Sequence, residues 1–161
     1  MDNQTLSSLY TAHAKSLYNY ILWMTRNTDA SKDILQIVFI RLWKSSSAPM
    51  GDDDIRRWLY TSAKNACYDS FRSHARLSRL RAHYTAEFVS TDTDPHDGFF
   101  WDMLSELSET ERCILYLHLK AGYSYAEIGR IVELSESNVR VKVCRAIKRL
   151  RDVCARSTSN G

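Results

Sequence analysis

The stretch from Leu107 to Leu150, LSETERCILYLHLKAGYSYAEIGRIVELSESNVRVKVCRAIKRL, decides how the rest of the chain is read. Three helices can be placed in it from start and stop signals alone. Ser108, followed three residues on by Glu111, is a capping box ahead of the apolar residues Cys113, Ile114, Leu115 and Leu117. Gly122 stands where a left-handed residue would end that helix. Ser124 and Glu127 make a second capping box, opening a short helix with Ile128, Ile131 and Val132 on its buried side. Leu134-Ser135 then reads as a tight turn, with Ser135 as the cap of a third helix. That helix carries Val139, Val143, Ala146, Ile147 and Leu150 on one stripe, and Arg140, Lys142, Arg145, Lys148, Arg149 and Arg151 on its other faces. A short helix, a tight turn and a basic amphipathic helix describe a helix-turn-helix, whose second helix can lie in a DNA major groove.

A charged helix face is also the ordinary solvated surface of a helical bundle, so pattern alone leaves both readings open. The tail favours nucleic acid. From Arg140 to Arg156 the only acid is Asp152, set against Arg140, Lys142, Arg145, Lys148, Arg149, Arg151 and Arg156. A block so one-sided suits a polyanion, because each phosphate neutralised releases condensed counterions.

The chain around this stretch has 161 residues, room for one ordinary domain or two small ones. Its 44% apolar and 25% charged content is that of a globular protein, and a net charge of +3 means that affinity for nucleic acid must come from local patches. Two prolines and five glycines favour an all-α fold. There is no long apolar run to span a membrane, and the polar start MDNQTLSSLY lacks a secretory pattern, so a cytoplasmic location is expected. Cys67, Cys113, Cys144 and Cys154 are far apart with no CxxC pair, as expected of thiols in a reducing compartment. His13, His74, His83, His96 and His118 are scattered. There is no Gly-rich phosphate loop, nucleophile elbow or metal-ligand spacing. The expectation is therefore no catalytic residue, no metal, no cofactor and no small-molecule substrate.

In the N-terminal half, Leu6, Leu9, Tyr10, His13, Leu17, Tyr20, Ile21 and Met24 fall at helical spacing, with Thr5 or Thr11 as a cap. Asn27-Thr28-Asp29 breaks the pattern. A second helix follows from about Ala30 to Lys44, packing Ile34, Leu35, Val38, Phe39, Leu42 and Trp43. Residues 45–54, SSSAPMGDDD, are a loop by composition. From Ile55 a long helix carries Trp58, Leu59, Ser62, Ala63, Ala66, Cys67 and Phe71 and ends among Arg72, Arg76, Arg79 and Arg81. Its exposed face mixes aromatic, amide and cationic groups at Trp58, Tyr60, Thr61, Lys64, Asn65, Tyr68 and Arg72. Such a face suits single-stranded nucleic acid, though ordinary core packing accounts for several of these residues equally well. Between Arg81 and Arg112 there is no Lys or Arg, while Glu87, Asp92, Asp94, Asp97, Asp102, Glu106, Glu109 and Glu111 are all acidic. Within that stretch TDTDPHDG, residues 91–98, reads as a flexible linker between two small helical domains. Phe99, Phe100, Met103 and Leu104 begin the second domain.

Three motifs in this order resemble the extracytoplasmic-function (ECF) sigma factors, small bacterial transcription initiation factors of the sigma-70 family. The resemblance runs from about Leu6 to Arg151. Asp33 to Trp43, DILQIVFIRLW, is similar to the family's polymerase-docking helix. Trp58 to Arg72, WLYTSAKNACYDSFR, is similar to its promoter-melting helix. Tyr123 to Gly129 and Ser135 to Arg140 are similar to its helix-turn-helix.

The resemblance implies a division into region two at 5–80, an acidic linker at 81–98 and region four at 99–154. It implies a core RNA polymerase contact through Asp33, Gln36, Ile37, Phe39, Ile40 and Trp43. It implies −10 promoter DNA contacts through Lys64, Asn65, Tyr68, Asp69 and Arg72, with a flipped base captured in the loop at 45–54. It implies −35 contacts through Ser124, Ser137, Asn138, Arg140, Val141, Lys142, Cys144, Arg145 and Lys148. The linker would thread the channel later used by nascent RNA. An anti-sigma factor, often membrane-bound, would hold the protein inactive. The chain departs from the family's pattern in that Ile37 replaces an acid, Lys32 stands where an acid is common, and Val141 and Cys144 replace more polar or larger groups. A different reading of the same helix-turn-helix is a stand-alone regulator with an N-terminal sensor or dimerisation domain.

Overall fold

The side chain of Asp2 accepts a hydrogen bond from the Thr5 N–H at 2.7 Å and starts α1 (Asn3–Thr25). Neither Thr5 nor Thr11 is the cap, because Asp2, just ahead of the first helical residue, supplies a carboxylate oxygen; Thr11 bonds back to the Ser7 carbonyl within the helix. Hydrogen bonding from the Thr5 side chain, and then from its N–H, holds the Asp2 carboxyl below its ordinary value. The computed structural model describes residues 1–45, 51–81 and 98–159. Among them are seven α-helices and no strand, in two units, Met1–Asp94 and Pro95–Gly161.

In the first unit α1, α2 (Thr28–Lys44) and α3 (Asp52–Arg81) pack pairwise. The corner between α1 and α2 is built from short polar residues. Arg26 takes a left-handed conformation with φ of 54°, and Asn27 accepts from the Ala30 N–H at 2.9 Å, so α2 starts at Thr28 rather than Ala30. The fully buried Ser31 hydroxyl bonds the Asn27 carbonyl at 2.6 Å and Thr25 Oγ1 at 2.8 Å, which meets the requirement that a buried polar group be paired. The core between the three helices is Leu17, Tyr20, Ile21, Met24, Ile34, Leu35, Val38, Phe39, Leu42, Ile55, Leu59 and Ala63. Burying each large apolar side chain contributes roughly 1.5–3 kcal/mol relative to exposure.

α3 begins at Asp52, ahead of Ile55, because Asp52, Asp53 and Asp54 occupy its first turn, where their charges complement the helix dipole. Three expected core members differ: Trp58 and Phe71 are half-buried, and Trp43 of α2 is exposed. His13 lies against Arg56 and Tyr60 where α1 meets α3. Burial lowers its pKa below the ordinary value, Arg56 lowers it further, and Asp52 opposes them. The expected loop at 45–54 has residues 46–50 outside the described residues, and the linker at 81–98 lies outside them between 82 and 97.

In the second unit, α4 (Gly98–Ser105) and α5 (Glu109–Leu119) pack on α7 (Glu136–Ser159), which also carries α6 (Tyr125–Val132). Ser108 Oγ accepts from the Glu111 N–H at 3.2 Å, but the Glu111 carboxylate does not complete the expected box. It turns instead to Arg149 of α7, at 2.9 and 3.1 Å, where a full charge meets it. The same guanidinium reaches the Glu106 carbonyl at 3.4 Å, pinning α7 to the start of α5. The end of α5 follows expectation: Gly122 has φ of +76°, and the Tyr123 N–H bonds the Leu117 carbonyl at 3.0 Å.

Candidate nucleic-acid and polymerase interfaces

The helix-turn-helix is assembled by short polar residues that fix each chain reversal. At the start of α6 the Ser124/Glu127 box is complete, with Glu127 N–H to Ser124 Oγ at 3.2 Å and Ser124 N–H to the Glu127 carboxylate at 2.8 Å. α6 ends on Glu133, left-handed with φ of 59°, and the Leu134 N–H returns to the Gly129 carbonyl at 3.0 Å. A Cβ on Gly129 would lie 2.5 Å from the Leu134 carbonyl oxygen, so the turn closes onto bare backbone there. Ser135 Oγ then accepts from the Asn138 N–H at 3.2 Å and starts α7. Ser135→Ala removes that cap and is expected to destabilise the second unit by about 1 kcal/mol, read as a lower unfolding midpoint by calorimetry. An unchanged midpoint would contradict the role given to this cap.

α7 buries Val139, Val143 and Ala146 and half-buries Ile147 and Leu150. At 3.6 residues per turn the opposite face is centred on Ser137, Val141, Cys144, Arg145 and Lys148, all exposed. Arg140 and Lys142 fall on its two flanks, Arg140 exposed and Lys142 half-buried. Two expectations change in detail. The Asn138 N–H is taken by the Ser135 cap, so Asn138 has its side chain rather than that amide to offer a ligand. Ser124 has its N–H and its Oγ lone pair engaged in the box with Glu127; its hydroxyl proton is what it can donate to a phosphate.

On α3 one exposed stripe carries Asn65, Asp69 and Arg72, with the half-buried Trp58, Thr61 and Tyr68 along the same line. Arg72 reaches Asp69 at 3.5 Å, both well exposed. Lys64 is not on this stripe. One residue from Asn65, it is rotated toward the core and only 6% exposed, its amine 6.0 Å from the Tyr68 ring centroid. Tyr60, also expected on the open face, is buried at 3% exposure, with burial raising its pKa.

On α2 the side chains of Asp33, Gln36, Ile37, Ile40 and Trp43 all face outward, three of them apolar, with Ile37 at 41%, Ile40 at 48% and Trp43 at 52% exposure. Phe39, expected on that surface, is buried and edges against Tyr10, ring centroids 4.8 Å apart. It forms the floor of an open groove of about 450 Å³ whose other wall is α1. Leu6, Ser7 and Tyr10 line that wall, facing Gln36, Ile40 and Trp43. The contribution of α1 was missed in the sequence because Leu6 and Tyr10 continue the apolar spacing of the core residues behind them.

Among the described residues no group of His, Cys, Asp and Glu is arranged to hold a metal ion, and no helix is long and apolar enough to cross a membrane. Cys67 and Cys113 are buried thiols, and Cys144 and Cys154 exposed ones.

Comparison with known proteins adds the family context. The Sigma-70 region 2 family matches residues 9–77, and the Sigma-70, region 4 family matches residues 100–150. The ECF RNA polymerase sigma factor SigX of Bacillus subtilis is 25% identical, over 92% of this chain and 82% of its own. The RNA polymerase sigma factor CarQ of Myxococcus xanthus is 27% identical, over 90% and 86%. SigM of B. subtilis is 24% identical, over 97% and 99%. Among solved structures, the sigma factor RpoE of Bartonella quintana, crystallised with the anti-sigma factor NepR, superposes with a TM-score of 0.78 at 18% identity, over 94% of this chain and 98% of that one.

Proposed function

Since the chain belongs to the sigma-70 family, as an ECF-type factor, we infer that it works in the bacterial cytoplasm, binds core RNA polymerase and directs it to a specific set of promoters. The observation that carries this is the succession of region 2 over residues 9–77 and region 4 over residues 100–150 in one short chain. The N-terminal half, where a stand-alone helix-turn-helix regulator would carry its sensor domain, matches region 2 instead. The family supplies transcription initiation factors, and in this reading the chemistry belongs to the polymerase.

The roles follow from where the side chains lie. The apolar face of α2 docks on core polymerase, with Ile37 making up in apolar contact for the acid that other family members carry. The stripe Asn65, Tyr68, Asp69 and Arg72 receives the −10 element as single strand. Extruding a base costs a few kcal/mol of stacking, which contacts to the unpaired strand must return. Lys64 enters this site only if its side chain swings out, so its contribution is the smallest of the five. The outer face of α7 enters the −35 major groove. There Arg145 supplies donors to base edges, Val141 and Cys144 supply apolar contact, Arg140 and Lys142 flank, and Lys148, Ser124, Ser137 and Asn138 reach phosphate. Residues 5–80 and 99–154 act as separate readers joined by the acidic linker at 81–98, which passes through the RNA channel. Control by an anti-sigma factor accords with the NepR complex of the RpoE relative.

Asn65→Ala is expected to lower open-complex formation roughly tenfold, the loss of one well-placed hydrogen bond to an unpaired base, while closed-complex binding stays near wild type. Permanganate reactivity against gel-shift affinity measures the two separately. Equal losses in both would contradict a melting role. The reading as a whole is tested by gel filtration with core polymerase: the protein is expected to co-elute with it. Failure to do so, with the protein folded, would overturn the reading.

A further inference from the structure

Arg140, one of several cations on α7, has its guanidinium over an aromatic ring of another helix. Its Cζ is 5.7 Å from the centroid of Tyr125, the first residue of α6. Tyr125 is in turn stacked on His118 of α5, centroids 4.9 Å apart and planes 30° from parallel. His118 Nδ1 is buried and has no hydrogen-bond partner among the described residues, so on that side the imidazole acts by its ring rather than through a polar bond. Three helices of the second unit thus contribute one member each to a row of two rings and a cation. Tyr125 is also fixed from behind, since its neighbour Ser124 is locked in the capping box.

We propose that Tyr125 is the positioning residue for Arg140, holding its guanidinium ready for the DNA of the −35 element. Two groups compete to orient that cation. Glu136, one turn back on α7, lies 3.8 Å from it, with both side chains more than half exposed (63% for Arg140, 57% for Glu136). An exposed ion pair of that length is weak, and it occupies donors that a base or phosphate needs. As phosphate approaches, it competes with the carboxylate for the same N–H groups. The ring does not compete. It attracts the guanidinium through its face and leaves the five N–H donors at the edge available. The residue that keeps Arg140 in place while DNA binds is therefore the neutral one. This inference rests on the reading of Arg140 as a −35 contact.

The test is a double-mutant cycle on holoenzyme, with core polymerase and a duplex promoter fragment recovered by run-off transcription. Arg140→Ala is expected to weaken binding about tenfold. Tyr125→Ala is expected to weaken it about two- to fivefold. The double mutant should be no weaker than Arg140→Ala alone, and Tyr125→Phe, which keeps the ring, should bind as wild type. Tyr125→Leu keeps apolar bulk without a ring face, and it should behave as Tyr125→Ala while unfolding at the wild-type temperature. Multiplying losses in the double mutant, or wild-type binding by Tyr125→Leu, would overturn the proposal and leave the −35 role of Arg140 standing. No loss in Arg140→Ala itself would remove that role and the proposal with it.

Discussion

Ile40→Asp is expected to raise the dissociation constant for core RNA polymerase about 30-fold or more, with the unfolding midpoint unchanged. Ile40 is the centre of the outward face of α2 and is 48% exposed. Gln36 and Trp43 stand beside it toward the groove, and Asp33 and Ile37 stand on its other side. A carboxylate at that position has to be desolvated by whatever covers the face, and interface centres commonly cost 2 kcal/mol or more when disrupted. The folded monomer loses little, because a half-exposed side chain outside the core contributes within about 0.5 kcal/mol. Trp43→Ala should act in the same direction. Fluorescence titration of labelled protein with core enzyme measures both. Wild-type affinity in Ile40→Asp would exclude this face as the docking surface. The groove beneath has Phe39 as its floor, and Phe39→Ala is the informative contrast: it should lower the unfolding midpoint, since Phe39 belongs to the core.

Arg145→Ala is expected to cost about 1–3 kcal/mol of discrimination at one −35 base pair, the value of one bidentate contact to a base edge. Arg145 is exposed near the middle of the outer face of α7, opposite the buried Val139, Val143 and Ala146. Lys148→Ala, by contrast, should weaken binding evenly across sequences and reduce the salt dependence, the signature of a cation that holds phosphate. Affinities of holoenzyme for promoter fragments altered at each −35 base pair separate the two patterns. Uniform losses in Arg145→Ala would reassign it to the backbone. Unchanged affinity in both variants would mean that this face does not meet DNA.

The helix-turn-helix was the most legible part of the chain because its reversals are made locally, by side chains that cap nearby backbone N–H groups and by one glycine that takes a left-handed conformation. Ser124, Glu127, Ser135 and Gly122 do in the structure what their types and spacing predict. Where a second partner was available at a distance, spacing misled. Glu111 has the position of a capping-box acid but is 38 residues in sequence from the cation it binds, Arg149. Lys64 misled in another way. A lysine beside an amide and a tyrosine suggests an open face, yet helical phase turns it inward, and a long aliphatic stem tolerates that burial. The apolar spacing of α2 showed a buried stripe but placed Trp43 within it, because Trp43 follows the buried Leu35 and Phe39 at helical spacing and yet is exposed. The row from His118 through Tyr125 to Arg140 joins three helices and has no local signature at all.

The central claim is that this chain gives core polymerase a promoter specificity. Run-off transcription from fragmented genomic DNA, with core enzyme in the presence and absence of the protein, tests it directly. The account predicts new, discrete start sites that appear only with the protein, and upstream sequences sharing two spaced elements. Identical transcripts in both reactions, with folded protein in excess over core enzyme, would contradict it.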